Sequence, residues 1–241
     1  MPRIVAVNVV NSEGRGPFVL VCDHASNWVP PSLQGLGLPR EELVRHIAWD
    51  PGALELALRM SSLLDAPLVH ATVSRLVLDV NRDPSHAGSI VLSSEDTHIP
   101  GNQDLSAEHR AHRVSTIYEP YHQALAHVIE SRAAPPWVIS IHSFTPVFRR
   151  ERRPWHIGVL SGEDRRLADP LLELLRADPE LNVGDNQPYA PTDGVYHTLE
   201  RHCSARELRS VLLELRADLI DDDASRAKWA SRLCLSLQAI H

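Results

Sequence analysis

Apolar residues fall along this chain in short, dense runs. FVLVCD (18–23), APLVHATV (66–73), LVLDVN (76–81), WVISIH (137–142), HIGVL (156–160) and VLLELR (211–216) are rich in β-branched residues. Most are apolar on both faces of a pleated strand, the pattern of strands covered by helices on either side. Helical periodicity separates them. GALELALRMSSLLD (52–65) predicts a helix, with Asp50 as its N-cap and Pro51 at its first position. The amphipathic stretch 106–133 predicts a long helix interrupted near Pro120. Two further helices are predicted around 164–177, where Pro170 breaks the first turn, and around 222–239.

Strands alternating with helices place the chain in the α/β class, and the short link between 66–73 and 76–82 predicts one antiparallel pair. SFTPVFRRERRPWH (143–156) and GDNQPYAPTDGVYH (184–197) carry the turn formers and polar groups of surface loops. Neither a repeat nor a linker interrupts the pattern, so residues 1–241 are expected to form a single domain.

The ends of the predicted strands carry the chemistry. His24 closes the first, Asn81 and Arg82 the third, His142 and Ser143 the fourth. In open α/β sheets ligands bind outside the carboxyl ends of strands, so these side chains are placed to meet. Glu214, inside the apolar VLLELR, must be paired, metal-bound or protonated. Two strand-end histidines with a buried glutamate favour a metal site over isolated surface groups. Simpler roles stay open: Glu214 as partner of Arg216 or another arginine, and Asp50 as no more than a helix cap. Asp23 and Asp79 fit either carboxylates that orient a ligand histidine or strand-end caps. His98, His109, His112, His122 and His127 read as solvated.

Composition narrows the partners. With 43% hydrophobic and 23% charged residues over 241, the chain fits a soluble globular protein of one or at most two domains. A net charge of -7 and no long basic stretch exclude a nucleic-acid surface. Lys228 is the only lysine, so a cationic site would bind through the planar fork of arginine. Three cysteines without a CxxC pair suit a reducing, cytoplasmic setting. MPRIVAVNVV has no signal-peptide pattern, and no apolar run approaches the ~20 residues of a membrane helix.

CDHASNWVP, WDPGA, SRLVLDVNRDP, IHSFTP, GDNQPY, TLERH and ELRADLI occur in an order and spacing that resemble the N-formylglutamate amidohydrolase family, over about residues 18–220. That family is more distantly similar to zinc carboxypeptidases and aspartoacylases. The resemblance implies a three-layer α/β sandwich around a mixed, mostly parallel sheet, and one zinc ion held by His24 and His142. Where the wider group has a glutamate ligand three residues after the first histidine, this chain has Asn27, a poor zinc ligand. Asp50 is therefore the expected third ligand, with Asn27 as the alternative, reaching the metal itself, only its water, or the substrate. The resemblance further implies Glu214 as general base and Arg75 as the group that polarises the carbonyl. Asn81 and Arg82 would grip a substrate carboxylate, with Ser143 beside them.

The activity implied is hydrolysis of an N-formyl or N-acyl acidic amino acid, foremost N-formyl-L-glutamate to formate and L-glutamate. The loops at 149–153 and at DNQPY are candidates for contacts to a second carboxylate, although for Arg149, Arg150, Arg152 and Arg153 a solvated loop is the expectation. Three alternatives remain: a hydrolase of another N-acyl amino acid or a small peptide, a metal-free hydrolase using Ser143 or Ser26 with a histidine, against which no GxSxG elbow is found, and a carboxylate-binding protein without catalysis.

Overall fold

The computed structural model describes residues 4–241, so the first three residues of the N-terminal segment lie outside the described residues. Its apolar runs form a seven-stranded sheet. The strands are β1 (Val7–Val10), β2 (Phe18–Cys22), β3 (Leu68–Ala71), β4 (Trp137–Phe144), β5 (Ile157–Leu160), β6 (Val183–Asp185) and β7 (Ser210–Arg216). Their order is β1-β3-β2-β4-β7-β5-β6. β3, β2, β4 and β7 run parallel. β1 joins β3 antiparallel, and β5, with β6 parallel to it, joins β7 antiparallel.

Burial on both faces explains why these strands read as continuous apolar runs. Phe18, Leu20 and Cys22 of β2 enter one core, whereas Val19 and Val21 enter the other. The first core is covered by α1 (Ala53–Leu64), and further along the chain by Ala168–Arg176 and Asp223–Ile240. The second lies under α3 (Glu119–Glu130) and the short helix His197–Cys203; α2 (Ala107–Arg113), which leads toward α3, buries only Arg113. In chain order, Ala168–Arg176 is α4, His197–Cys203 α5 and Asp223–Ile240 α6. The result is the expected three-layer, mostly parallel α/β sandwich.

The predicted strand at 76–81 does not form. The free edge of β3 is taken by β1, and Leu76–Asn81 fold into turns instead. Val77 N–H donates to the Ser74 carbonyl (2.9 Å), Leu76 N–H to Ser74 Oγ (3.2 Å) and Asp79 N–H to the Ser89 carbonyl (2.8 Å). Leu76, Val77, Leu78 and Val80 are buried in the second core. Their hydrophobicity reflects burial rather than extended pairing.

The long helix is interrupted at Val114–Tyr118, one π-type turn ahead of Pro120. Pro170 sits within the first turn of α4, where a missing N–H costs nothing, and does not break it. His122, expected to be solvated, is buried on α3 and stacks on His202 of α5. Its Nδ1 lies 2.8 Å from His202 Nε2, and its Nε2 lies 2.9 Å from the Val80 carbonyl. His98, His109, His112 and His127 are exposed, as expected.

Asp50 is not the N-cap of α1. Gly52 holds that position, and no side chain caps the helix. Gly52 has φ +80°, and a Cβ there would stand 2.5 Å from the Ile220 carbonyl oxygen. Both the left-handed backbone and the close approach require glycine. Gly52→Ala should therefore lower stability by about 2 kcal/mol, read as a shift of the urea unfolding midpoint; an unchanged midpoint would show that the turn relaxes freely.

Candidate metal and catalytic site

β2, β4 and β7 lie near one another at the centre of the sheet and deliver their carboxyl ends to one place. His24 follows β2, and its carbonyl accepts the Asp50 N–H at 2.9 Å, which ties the WDPGA turn to the strand end. On β4 and β7, His142 and Glu214 are register partners, so their side chains leave the sheet on the same face.

Asp50 stands between the two imidazoles. Its Oδ2 lies 2.8 Å from His142 Nδ1 and 3.4 Å from His24 Nδ1, and all three side chains are buried. The far ring nitrogens are held by other carboxylates: His24 Nε2 by Asp79 Oδ1 at 2.7 Å, and His142 Nε2 by Asp23 Oδ2 at 3.0 Å. Asp23 also accepts hydrogen bonds from Tyr121 Oη (2.8 Å), Thr198 Oγ1 (2.7 Å) and Ser140 Oγ (3.1 Å). Asp79 accepts from the Asn81 N–H (2.9 Å) and from Arg75 Nη2 (3.1 Å), with Arg82 Nε at 3.4 Å. Of the two roles open to Asp23 and Asp79, the geometry selects the orientation of histidines.

Burial alone would raise these carboxyls. Instead the His142 ring holds Asp23 well below the ordinary range, and both rings do so for Asp50. His24 and Arg75 do the same for Asp79. Burial and Arg75 would lower His24, but Asp79 and Asp50 raise it; burial would also lower His142, yet hydrogen bonds to Asp23 and Asp50 lift it well above its usual value. The cluster thus draws in positive charge.

The donor set suits a divalent cation. His24 Nδ1 is buried and has no hydrogen-bond partner. It lies with one donor atom each from Asp50 and His142, all within 4.8 Å of one another. A tetrahedral zinc ion with bonds of ~2.0–2.1 Å keeps its ligand atoms about 3.3 Å apart, and Asp50 Oδ2 lies 2.8 Å and 3.4 Å from the two imidazole nitrogens. Carboxylates behind both imidazoles are the usual support of metal-binding histidines.

The remaining predicted residues separate into two groups. Glu214 is buried, its Oε2 has no partner, and burial pushes its pKa up to about 7. Arg216, offered as its partner, pairs with Asp218 instead (2.8 Å). Glu214, Arg75, Arg82, Asn81 and Ser143 line one cavity of about 160 Å³ with the His–Asp–His cluster. Within it, Arg75 Nη1 lies 3.5 Å from Asp50 Oδ1. Asn81 is on the wall, but its amide is engaged: Nδ2 donates to the Val195 carbonyl (2.5 Å), and Oδ1 accepts the Thr198 N–H (2.8 Å), tying down the start of α5. Ser143 Oγ donates to the Pro51 carbonyl at 2.8 Å, and its N–H to Asp50 at 3.3 Å.

Asn27 is not in the site. Its side-chain amide donates to the Leu43 carbonyl at 2.9 Å, where it ties the loop after β2 to the following segment. Ser26 accepts the Trp28 N–H (3.1 Å), and neither Ser26 nor Ser143 hydrogen-bonds to a histidine; the serine that meets one is Ser140, whose Oγ lies 3.1 Å from His142 Nε2 and 3.1 Å from Asp23 Oδ2, buried in β4. Arg149, Arg150 and Arg152 are exposed as expected, but Arg153 is half-buried among aromatic rings. Tyr121 and Thr198 escaped the sequence reading because one resembles an ordinary helix core residue and the other meets its partner, Asp23, across 175 positions.

Fold and site together define a hydrolase of amide bonds built on an α/β sandwich. The chain belongs to the N-formylglutamate amidohydrolase family, whose model matches residues 16–221. It is similar to a gene product of Agrobacterium tumefaciens of known crystal structure, at 40% identity and a TM-score of 0.95, over 98% of this chain and 94% of that one. The N-formylglutamate amidohydrolase of Ralstonia eutropha shares the fold at 19% identity and a TM-score of 0.71, over 98% and 97% of the two chains. No curated protein matches the sequence.

If Asp79 orients His24 toward a metal, Asp79→Asn should weaken zinc binding to metal-stripped protein about tenfold or more. Competition with a chromophoric chelator measures this, and an unchanged affinity in a folded variant would exclude the role.

Proposed function

We propose that this amidohydrolase is zinc-dependent and cleaves N-acyl acidic amino acids, foremost N-formyl-L-glutamate to formate and L-glutamate. One observation carries the reading. The unpartnered carboxylate of Glu214 opens into the same cavity as the His24–Asp50–His142 donors and the guanidinium groups of Arg75 and Arg82. A buried acid held ready beside a cation site has the place of a base; a protein that only bound a carboxylate ligand would have no need of it.

His24, Asp50 and His142 would hold the metal, which supplies Lewis-acid activation of water and polarisation of the amide carbonyl. Glu214 takes the proton of the attacking water and passes it to the leaving nitrogen, so that the amine departs neutral. A pKa of about 7 suits both acceptance and return of that proton near neutrality. Arg75, fixed by Asp50 and Asp79, donates to the carbonyl oxygen as negative charge grows on it, a type of contribution worth ~3–4 kcal/mol per donor. Arg82 forms a bidentate pair with the substrate carboxylate. Asn81 supports this clamp through α5 rather than by touching the substrate.

The family supports glutamate as the amine product, while other N-acyl amino acids would meet the same catalytic groups. Three free, buried cysteines suit a cytoplasmic enzyme of amino-acid breakdown. No described helix is long and apolar enough to cross a membrane.

Chelation followed by dialysis should abolish release of formate from N-formylglutamate, and added zinc should restore it. Glu214→Gln should keep its zinc but lose about 10²–10⁴-fold in kcat. Activity that survives chelation would rule out metal dependence, and loss of zinc in Glu214→Gln would make Glu214 a ligand.

A further inference from the structure

The cavity at the cluster joins a larger one of about 320 Å³. His46, Arg75, Arg82 and Tyr189 line both and so form the neck between them. Tyr189 belongs to the loop read from sequence as GDNQPY, and it is braced by Arg153. The Arg153 guanidinium lies 4.6 Å from the ring centre of Phe148, 4.7 Å from that of Tyr189 and 5.7 Å from that of Phe144. Its Nη1 donates to Tyr189 Oη at 2.9 Å.

A guanidinium can only donate, so the hydroxyl of Tyr189 must accept in this bond, and its own proton is left to give away. Among the described residues no protein acceptor takes that proton. Burial raises the phenol above its usual pKa, with the Glu214 charge acting in the same direction, so the proton is retained.

A dicarboxylic substrate needs such a donor. With one carboxylate on Arg82 and the amide carbonyl on Arg75, the second carboxylate finds no third guanidinium at the neck. Asp79 and Glu95 on the walls of the larger cavity are already paired, Glu95 with Arg45 (2.8 Å) and His46 (3.3 Å).

We propose that Tyr189, made a one-way donor by Arg153, binds the second carboxylate of the substrate and sets the preference for acidic over neutral N-acyl amino acids. This rests on the amidohydrolase reading above. N-formyl-L-glutamate and N-formyl-L-glutamine, equal in shape and different in charge, test it. Tyr189→Phe should lower kcat/KM for the glutamate compound about tenfold more than for the glutamine compound, through KM rather than kcat. Arg153→Met, which keeps an apolar stem among the rings, should shift the same ratio in the same direction by a smaller factor. Circular dichroism and thermal unfolding establish that both variants are folded. Equal losses on both compounds, a loss confined to kcat, or no change in the ratio would overturn the proposal. If the parent enzyme cleaves neither compound, the substrate reading itself fails. Calorimetric binding of glutarate then still decides, since Tyr189→Phe must weaken it if the tyrosine holds a carboxylate.

Discussion

Three carboxylates stay ionised inside this protein, and the rest of the site follows from how that is achieved. Moving a lone carboxylate out of water costs several kcal/mol unless donors replace the lost hydration. Asp23 is surrounded by two hydroxyls from helices, one from β4 and the His142 ring. Asp79 rests on a backbone N–H, two arginines and the His24 ring. Asp50 is ringed by positive groups instead: its Oδ2 meets two imidazole nitrogens and one distant N–H, its Oδ1 lies 3.5 Å from Arg75 Nη1, and the space between the two rings is where a cation would sit. The outer carboxylates set the direction of the rings, and the inner one with the rings forms the cradle.

The sheet makes this economical. Parallel strands bring their carboxyl ends to one edge, so His24 and His142 arrive without long loops, and register alone sets Glu214 beside His142. The less regular parts are fastened by side chains to that frame. The Asp50 turn is clipped to the end of β2, and the buried turns at 76–81 bring Asp79 and Asn81 in beside α5. Gly52 lets the WDPGA turn pass against Ile220, so a residue without chemistry of its own fixes where Asp50 points.

How much of this could be read from the sequence depended on the kind of signal. His24, His142 and Glu214 were legible because polar groups at strand ends, or inside an apolar strand, violate the local pattern. The α/β class was legible because both faces of most of the strands are apolar. Residues 76–81 misled because burial in turns and burial in a strand give the same hydrophobic run. Asp50 has the local context of a helix cap, and only the approach of two distant histidines gives it another role. Asn27 and His122 were misplaced for the same reason: their partners, the Leu43 carbonyl and His202, lie outside any local window. The proton direction at Tyr189 depends on a contact with Arg153 across 36 positions, which no motif encodes.

The cradle is drawn from residues 24, 50 and 142, with the base at 214, and the support at Asp23 comes from 121, 140 and 198. No short contiguous fragment of the chain contains it. The site exists only when the sheet is closed from β2 through β7, so any cation held there binds the native state and not its parts. By mass action its binding energy becomes resistance to unfolding for the whole chain, growing with the logarithm of the free ion concentration. The supply of metal in the surroundings would then govern how long the fold lasts as well as how fast it works.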